Sequence, residues 1–102
     1  MKTKITTDAI IDALLCNEKI KKKEQKGKIG VSRHFYDRQT QAAIAISDDN
    51  MVTIDVEKNK IDITRYKDDA AYEYVTSESI SGAVEHLTYF ITHGKLLDGE
   101  SI

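Results

Sequence analysis

Proline is absent from the 102 residues, and cysteine occurs once, at Cys16. Without proline every turn must be made by Gly, Asn, Asp or Ser, and slow prolyl isomerisation drops out of folding. A single cysteine makes no internal disulfide, which fits a reducing, cytosolic setting. No apolar run approaches the roughly 18–20 residues of a membrane span. Nor does Met1-Lys2-Thr3-Lys4-Ile5 lead into a signal-peptide core, because Asp8 and Asp12 interrupt the apolar positions that follow. The length suits one domain over 1–102, large enough to bury a core unaided.

Charge is nearly balanced overall, at −2, but not along the chain. Residues 1–40 hold ten Lys/Arg against five acids, and residues 41–102 hold five against twelve, so the two parts carry +5 and −7. Such polarity bears on partners and association rates more than on fold.

Apolar spacing sets the architecture. Ile10, Ile11, Leu14 and Leu15 recur at helical intervals within a helix expected over 7–26. Thr6 or Thr7 caps it, Asp8 suits its positive end, and Gly27 ends it after a lysine-rich turn. Five strands follow, near 28–36, 41–47, 51–57, 60–66 and 70–76, with Val52, Ile54, Val56, Ile61 and Ile63 on one face. A two-residue turn at Lys58-Asn59 pairs Val56 with Ile61 and Ile54 with Ile63. A three-residue loop, Asp48-Asp49-Asn50 with Asn50 left-handed, sets Ile46 opposite Val52 and Ile44 opposite Ile54. A four-residue turn at 67–70 pairs Ile63 with Tyr74 and Arg65 with Tyr72. A turn at 37–40 pairs Phe35 with Ala42 and Val31 with Ile46. A last helix over 78–93, capped by Ser77 or Ser79 and with Glu78 in its first turn, buries Ile80, Val84, Leu87 and Ile91. Ala83 and Phe90 widen its stripe, and Gly94 stops it. The expected fold is α+β, a five-stranded antiparallel meander with both terminal helices on one face. The tail docks through Leu96 and Leu97 or frays.

The chain has no catalytic, cofactor or metal pattern. His86 and His93 stand seven residues apart, about 10.5 Å along a helix and too far to share a metal as a pair. Cys16 continues an apolar stripe and reads as a small buried or half-buried hydrophobe. Ser79 and Ser81 look like caps, and Gly27 and Gly30 belong to no phosphate loop. These absences point away from an enzyme.

Two surfaces compete as binding sites. The outer sheet face is expected to carry Tyr36, Asp55, Asp62, Tyr66 and Glu73, with Asp48 and Asp49 in a nearby loop. Asp55 and Asp62 fall directly opposite each other, an arrangement of like charges that a basic partner relieves; the plainer reading is a solvated face. Tyrosine is a favoured contact residue. The other surface is Lys19, Lys21, Lys22, Lys23, Lys26 and Lys28, which suit phosphates, although consecutive lysines are expected to point around a helix and no Arg or aromatic residue is interleaved. The helix–sheet–helix order resembles, at the level of fold alone, small secretion chaperones and compact phage inhibitors.

The sequence thus leads to a non-enzymatic module that binds a protein with a basic surface. Its most concrete form is a phage or mobile-element inhibitor of a host defence nuclease, of the anti-CRISPR or anti-restriction kind. A nucleic-acid-binding accessory protein and a chaperone or adaptor dimerising through a sheet edge are the alternatives.

Overall fold

Val52, Ile54 and Val56 alternate with Thr53, Asp55 and Glu57, and this alternation builds the centre of the sheet. In the computed structural model, which describes residues 4–33 and 41–102, they form β3 (Asn50–Glu57), antiparallel to β4 (Lys60–Lys67). Lys58 and Asn59 both take positive φ, 52° and 61°, the geometry of a two-residue hairpin turn that matches strand twist. Val56 therefore faces Ile61, and Ile54 faces Ile63, as the alternation predicts.

The flanking strands differ from expectation in register. β2 (Gln41–Ser47) turns into β3 through Asp48-Asp49 alone, with Ser47 opposite Asn50 and an irregularity at Ile46. Ile44 faces Val52 rather than Ile54, and Asn50 is a strand residue without positive φ. The bulge supplies the odd residue that a three-residue loop would have supplied, so both arrangements keep Ile44 on the core side. β5 (Ala70–Ser77) follows a second left-handed pair, Asp68 and Asp69 (φ 54° and 65°), and bulges at Tyr72. Ile63 consequently faces Val75, not Tyr74, and Arg65 faces Glu73, not Tyr72. β1 (Gly30–Arg33) sets Val31 opposite Ile44 instead of Ile46. The expectations for Phe35, Tyr36 and the turn at 37–40 lie outside the described residues.

The tail adds a strand that the sequence did not announce. β6 (Glu100–Ser101) pairs with β5, so six strands run in the order β1-β2-β3-β4-β5-β6, each antiparallel to the next. The tail docks through the buried Leu96 and crosses so close to the Glu73 carboxylate that no Cβ would fit at Gly99.

The expected first helix is two. α1 (Thr7–Leu15) starts at Thr6, whose hydroxyl accepts from the Ala9 amide at 3.1 Å. It ends at Cys16, which is exposed and not buried, because the helical stripe stops there. Asn17 takes an extended conformation and caps α2 (Glu18–Gln25), its side chain accepting from the Lys19 and Ile20 amides. An asparagine thus restarts the helix where a continuous one was expected. Gly27 (φ 70°) closes α2, with the Lys28 amide on the Lys23 carbonyl and the Gly27 amide on that of Glu24. α3 (Ile80–His93) is capped by Ser79, whose hydroxyl accepts from the Gly82 amide, so Glu78 stands before the helix and not in its first turn. Gly94 (φ 78°) ends it.

All three helices cover one face of the sheet. Ile10, Ile11 and Leu14 of α1, Ile20 of α2, and Ala83, Leu87, Phe90 and Ile91 of α3 pack on Ile44, Val52, Ile54, Ile61, Ile63 and Val75. Ile80 and Val84 lie at the margin. The Arg33 guanidinium forks to Asp8 and Asp12, one turn apart on α1, at 2.8 Å each, and ties β1 to that helix. Those two hydrogen bonds hold the arginine's pKa above its usual value.

A buried polar chain runs through this apolar layer. Arg65 and Glu73 form an ion pair on the core side of the sheet, with side chains 6% and 12% exposed. Arg65 also donates to Asn50 Oδ1 (3.2 Å), Asn50 Nδ2 donates to the Gly94 carbonyl (2.9 Å), and Glu73 accepts from the Leu96 amide (3.3 Å). The Tyr72 ring lies against the guanidinium, 4.5 Å from its centroid. Strands β3 to β5, the end of α3 and the tail are joined by one set of polar contacts.

Candidate functional site

The face of the sheet turned away from the helices is polar and ordered in rows. Gln41, Asp55, Asp62 and Thr76 stand side by side across β2 to β5. Beside them runs a row through all six strands: Ser32, Ala43, Thr53, Thr64, Tyr74 and Glu100. Glu57 opposite Lys60 lies beyond the first row, and Ala45, Met51, Tyr66 and Ala71 lie beyond the second. A shallow concavity of about 480 Å³ is centred on these residues, with Asp55, Asp62, Thr64, Tyr66 and Tyr74 in its lining.

Asp55 and Asp62 are the direct cross-strand neighbours that alternation predicts, both half-buried. Gln41 donates to Asp55 Oδ2 at 3.3 Å, and Asp62 has no hydrogen-bond or ion-pair partner among the described residues. Like charges opposite each other destabilise a sheet by roughly 0.2–1 kcal/mol. Lys60, two residues from Asp62 on the same strand face, lines the concavity and forms no ion pair among the described residues. The Tyr74 hydroxyl donates to Glu100 Oε2 at 2.8 Å, and that bond raises its pKa above the usual phenol value.

The other residues expected on this face divide. Tyr66 is in the concavity. Glu73 is not: the bulge at Tyr72 turns it to the helix side, where it neutralises Arg65. Asp48 and Asp49 sit at the far end of the hairpin, where the Asp49 carbonyl accepts from the Asp68 amide at 3.0 Å. Five residues of strand separate that turn from the Asp55–Asp62 pair, a distance of about 20 Å from Asp49 to Asp55. Tyr36 lies outside the described residues. Tyr74 and Thr76 entered the face unforeseen, through the same bulge that removed Glu73. Lys60 was legible, being two residues before Asp62. The β5 edge is partly occupied, since Glu73 and Tyr74 pair with β6 and the Ile102 amide reaches the Tyr72 carbonyl.

The lysines also differ from expectation. They do not point all around the helix: Lys19, Lys22, Lys23 and Lys26 are spaced i, i+3, i+4, i+7 and share one side of α2. Lys28 joins them from the following loop, and Lys21 points elsewhere. Together they rim a groove of about 510 Å³ whose floor is Ile29, Ile46 and Ile91.

Among the described residues no three His, Cys, Asp or Glu side chains are placed to hold one metal ion. No helix among them is long and apolar enough to cross a membrane. Comparison of the chain with protein-family models, with curated proteins and with solved structures finds no match.

Proposed function

We propose that this protein is a non-enzymatic binding module whose outer sheet face occupies a basic surface on a protein partner. The observation that carries this reading is the Asp55–Asp62 pair, set side by side on an open face without an ion-pair partner among the described residues. A partner's Arg or Lys placed between the two carboxylates relieves their repulsion and gains charge-assisted hydrogen bonds. Tyr66 and Tyr74 flank the pair with amphipathic rings suited to the rim of such a contact. The basic grooves of nucleic-acid-handling enzymes meet these requirements. Inhibition of a defence nuclease by surface occlusion, of the anti-CRISPR or anti-restriction kind, is the concrete form proposed.

The test compares wild type with Asp55→Lys/Asp62→Lys as bait for cell lysate and then as purified protein against the captured partner. The double variant is expected to keep the wild-type circular dichroism spectrum and to lose at least about 2 kcal/mol of binding, some 30-fold. Equal affinity in a folded double variant removes the sheet face from consideration.

A further inference from the structure

The acidic face leaves the lysine groove without a role. Five ammonium groups, Lys19, Lys22, Lys23, Lys26 and Lys28, surround it, and no carboxylate is in its lining. None of the five has an ion-pair partner among the described residues, although Glu18 and Glu24 lie on the same helix. Among the described residues the ion pairs are made by the arginines, Arg33 with two carboxylates and Arg65 with one, and what sets these five lysines apart is that they gather around one groove. The groove is therefore a concentrated positive field with nothing of its own to neutralise it.

Its floor restricts what can fill it. Ile29, Ile46 and Ile91 come from the loop after α2, from β2 and from α3, and the lysine stems add methylene surface above them. A nucleic-acid backbone offers phosphates to the rim but no apolar group to the floor. The groove lining also lacks arginine for base edges and aromatic rings for stacking. The fit is to a ligand acidic on one side and apolar on the other.

We infer that this groove is a second docking site, whose occupant is an acidic amphipathic segment of a protein. Apolar side chains of the segment rest on Ile29, Ile46 and Ile91, and its carboxylates meet the lysine rim, in the helix-in-groove manner. The groove lies on the helix layer and the Asp55–Asp62 pair on the opposite sheet face, so both can be occupied together. The inference does not rest on the proposed role of the sheet face.

The test titrates the full chain with a fluorescein-labelled helical peptide carrying leucines on one side and glutamates on the other, read by anisotropy. Three competitors are titrated in parallel: the same peptide with alanine for leucine, a short DNA duplex, and phosphatidylserine-containing vesicles. The leucine–glutamate peptide is expected to bind, more weakly as salt rises. Lys22→Glu/Lys26→Glu is expected to weaken it about tenfold or more, while Lys21→Glu/Lys58→Glu, equal in charge change but outside the groove, leaves it within about twofold. Asp55→Lys/Asp62→Lys should not reduce peptide binding, which separates this site from the sheet face. Absence of peptide binding overturns the inference, as does equal binding of the alanine peptide. Tighter binding of duplex or vesicles, lost in Lys22→Glu/Lys26→Glu, would reassign the groove to phosphates. An equal loss in the two lysine double variants would reduce it to general charge attraction.

Discussion

Replacing Arg65 by alanine is expected to cost the fold about 3–5 kcal/mol, because it leaves the Glu73 carboxylate buried without its counter-ion. A domain of this size has about 5–15 kcal/mol of stability in all, so the loss will be plain in a urea titration. The desolvation of two charges is compensated here only while both remain. Glu73→Ala should cost a similar amount, since it strands the guanidinium and removes the acceptor of the Leu96 amide. Arg65→Met/Glu73→Gln should recover much of either loss, because it removes both charges and keeps an acceptor near the tail. With Arg65→Met and Glu73→Gln as the matching single variants, the double-mutant cycle then gives a coupling above about 1 kcal/mol. Additive losses would mean that the pair acts as two separate packing contacts. Tyr72→Ala belongs in the same series as a mild case: the ring is exposed and its contact with Arg65 is worth about 0.5–1 kcal/mol.

Phe90→Ala is the second large effect, also about 3–5 kcal/mol. Phe90 is fully buried within the cluster shared by the helices and the sheet. Truncation removes its apolar surface from the core and leaves a void, and the rigid sheet beneath limits collapse into it. The melting temperature should fall by roughly 15 °C or more, at about 4–8 °C per kcal/mol in a domain of this size. Phe90→Leu should cost less than half as much. If Phe90→Ala melts within a few degrees of wild type, α3 does not pack as described.

The same two residues mark what the sequence disclosed and what it hid. Phe90 was legible because helical spacing places it with Ala83, Leu87 and Ile91. The Ile54–Ile63 hairpin was legible because strict alternation met a two-residue turn, and Asp55 and Asp62 came with it. The bulges were not. At Ile46 an extra residue in the strand and an extra residue in the loop give the same faces, so apolar alternation cannot tell them apart. At Tyr72 the ambiguity is chemical: tyrosine at 72 and 74 passes for a core residue as readily as Val75 does. The wrong choice turned Glu73 outward and hid its pairing with Arg65. The lysine groove was not legible because its apolar floor, Ile29, Ile46 and Ile91, is brought together from three separate elements. The i, i+3, i+4, i+7 spacing of Lys19, Lys22, Lys23 and Lys26 is in the sequence, but the run Lys21-Lys22-Lys23 masks it.

The meander also governs how the chain can come together. Every strand pairs with its neighbour in sequence, and the turns at 48–49, 58–59 and 68–69 are two residues long. Each of these three turns closes a short loop, at little entropic cost, whereas β6 reaches β5 only across α3. The burden of long-range closure falls on α1 against α3, whose residues lie some seventy positions apart yet share one apolar cluster. The sheet can zip from hairpin to hairpin, but only the meeting of the two ends of the chain seals its apolar face from water.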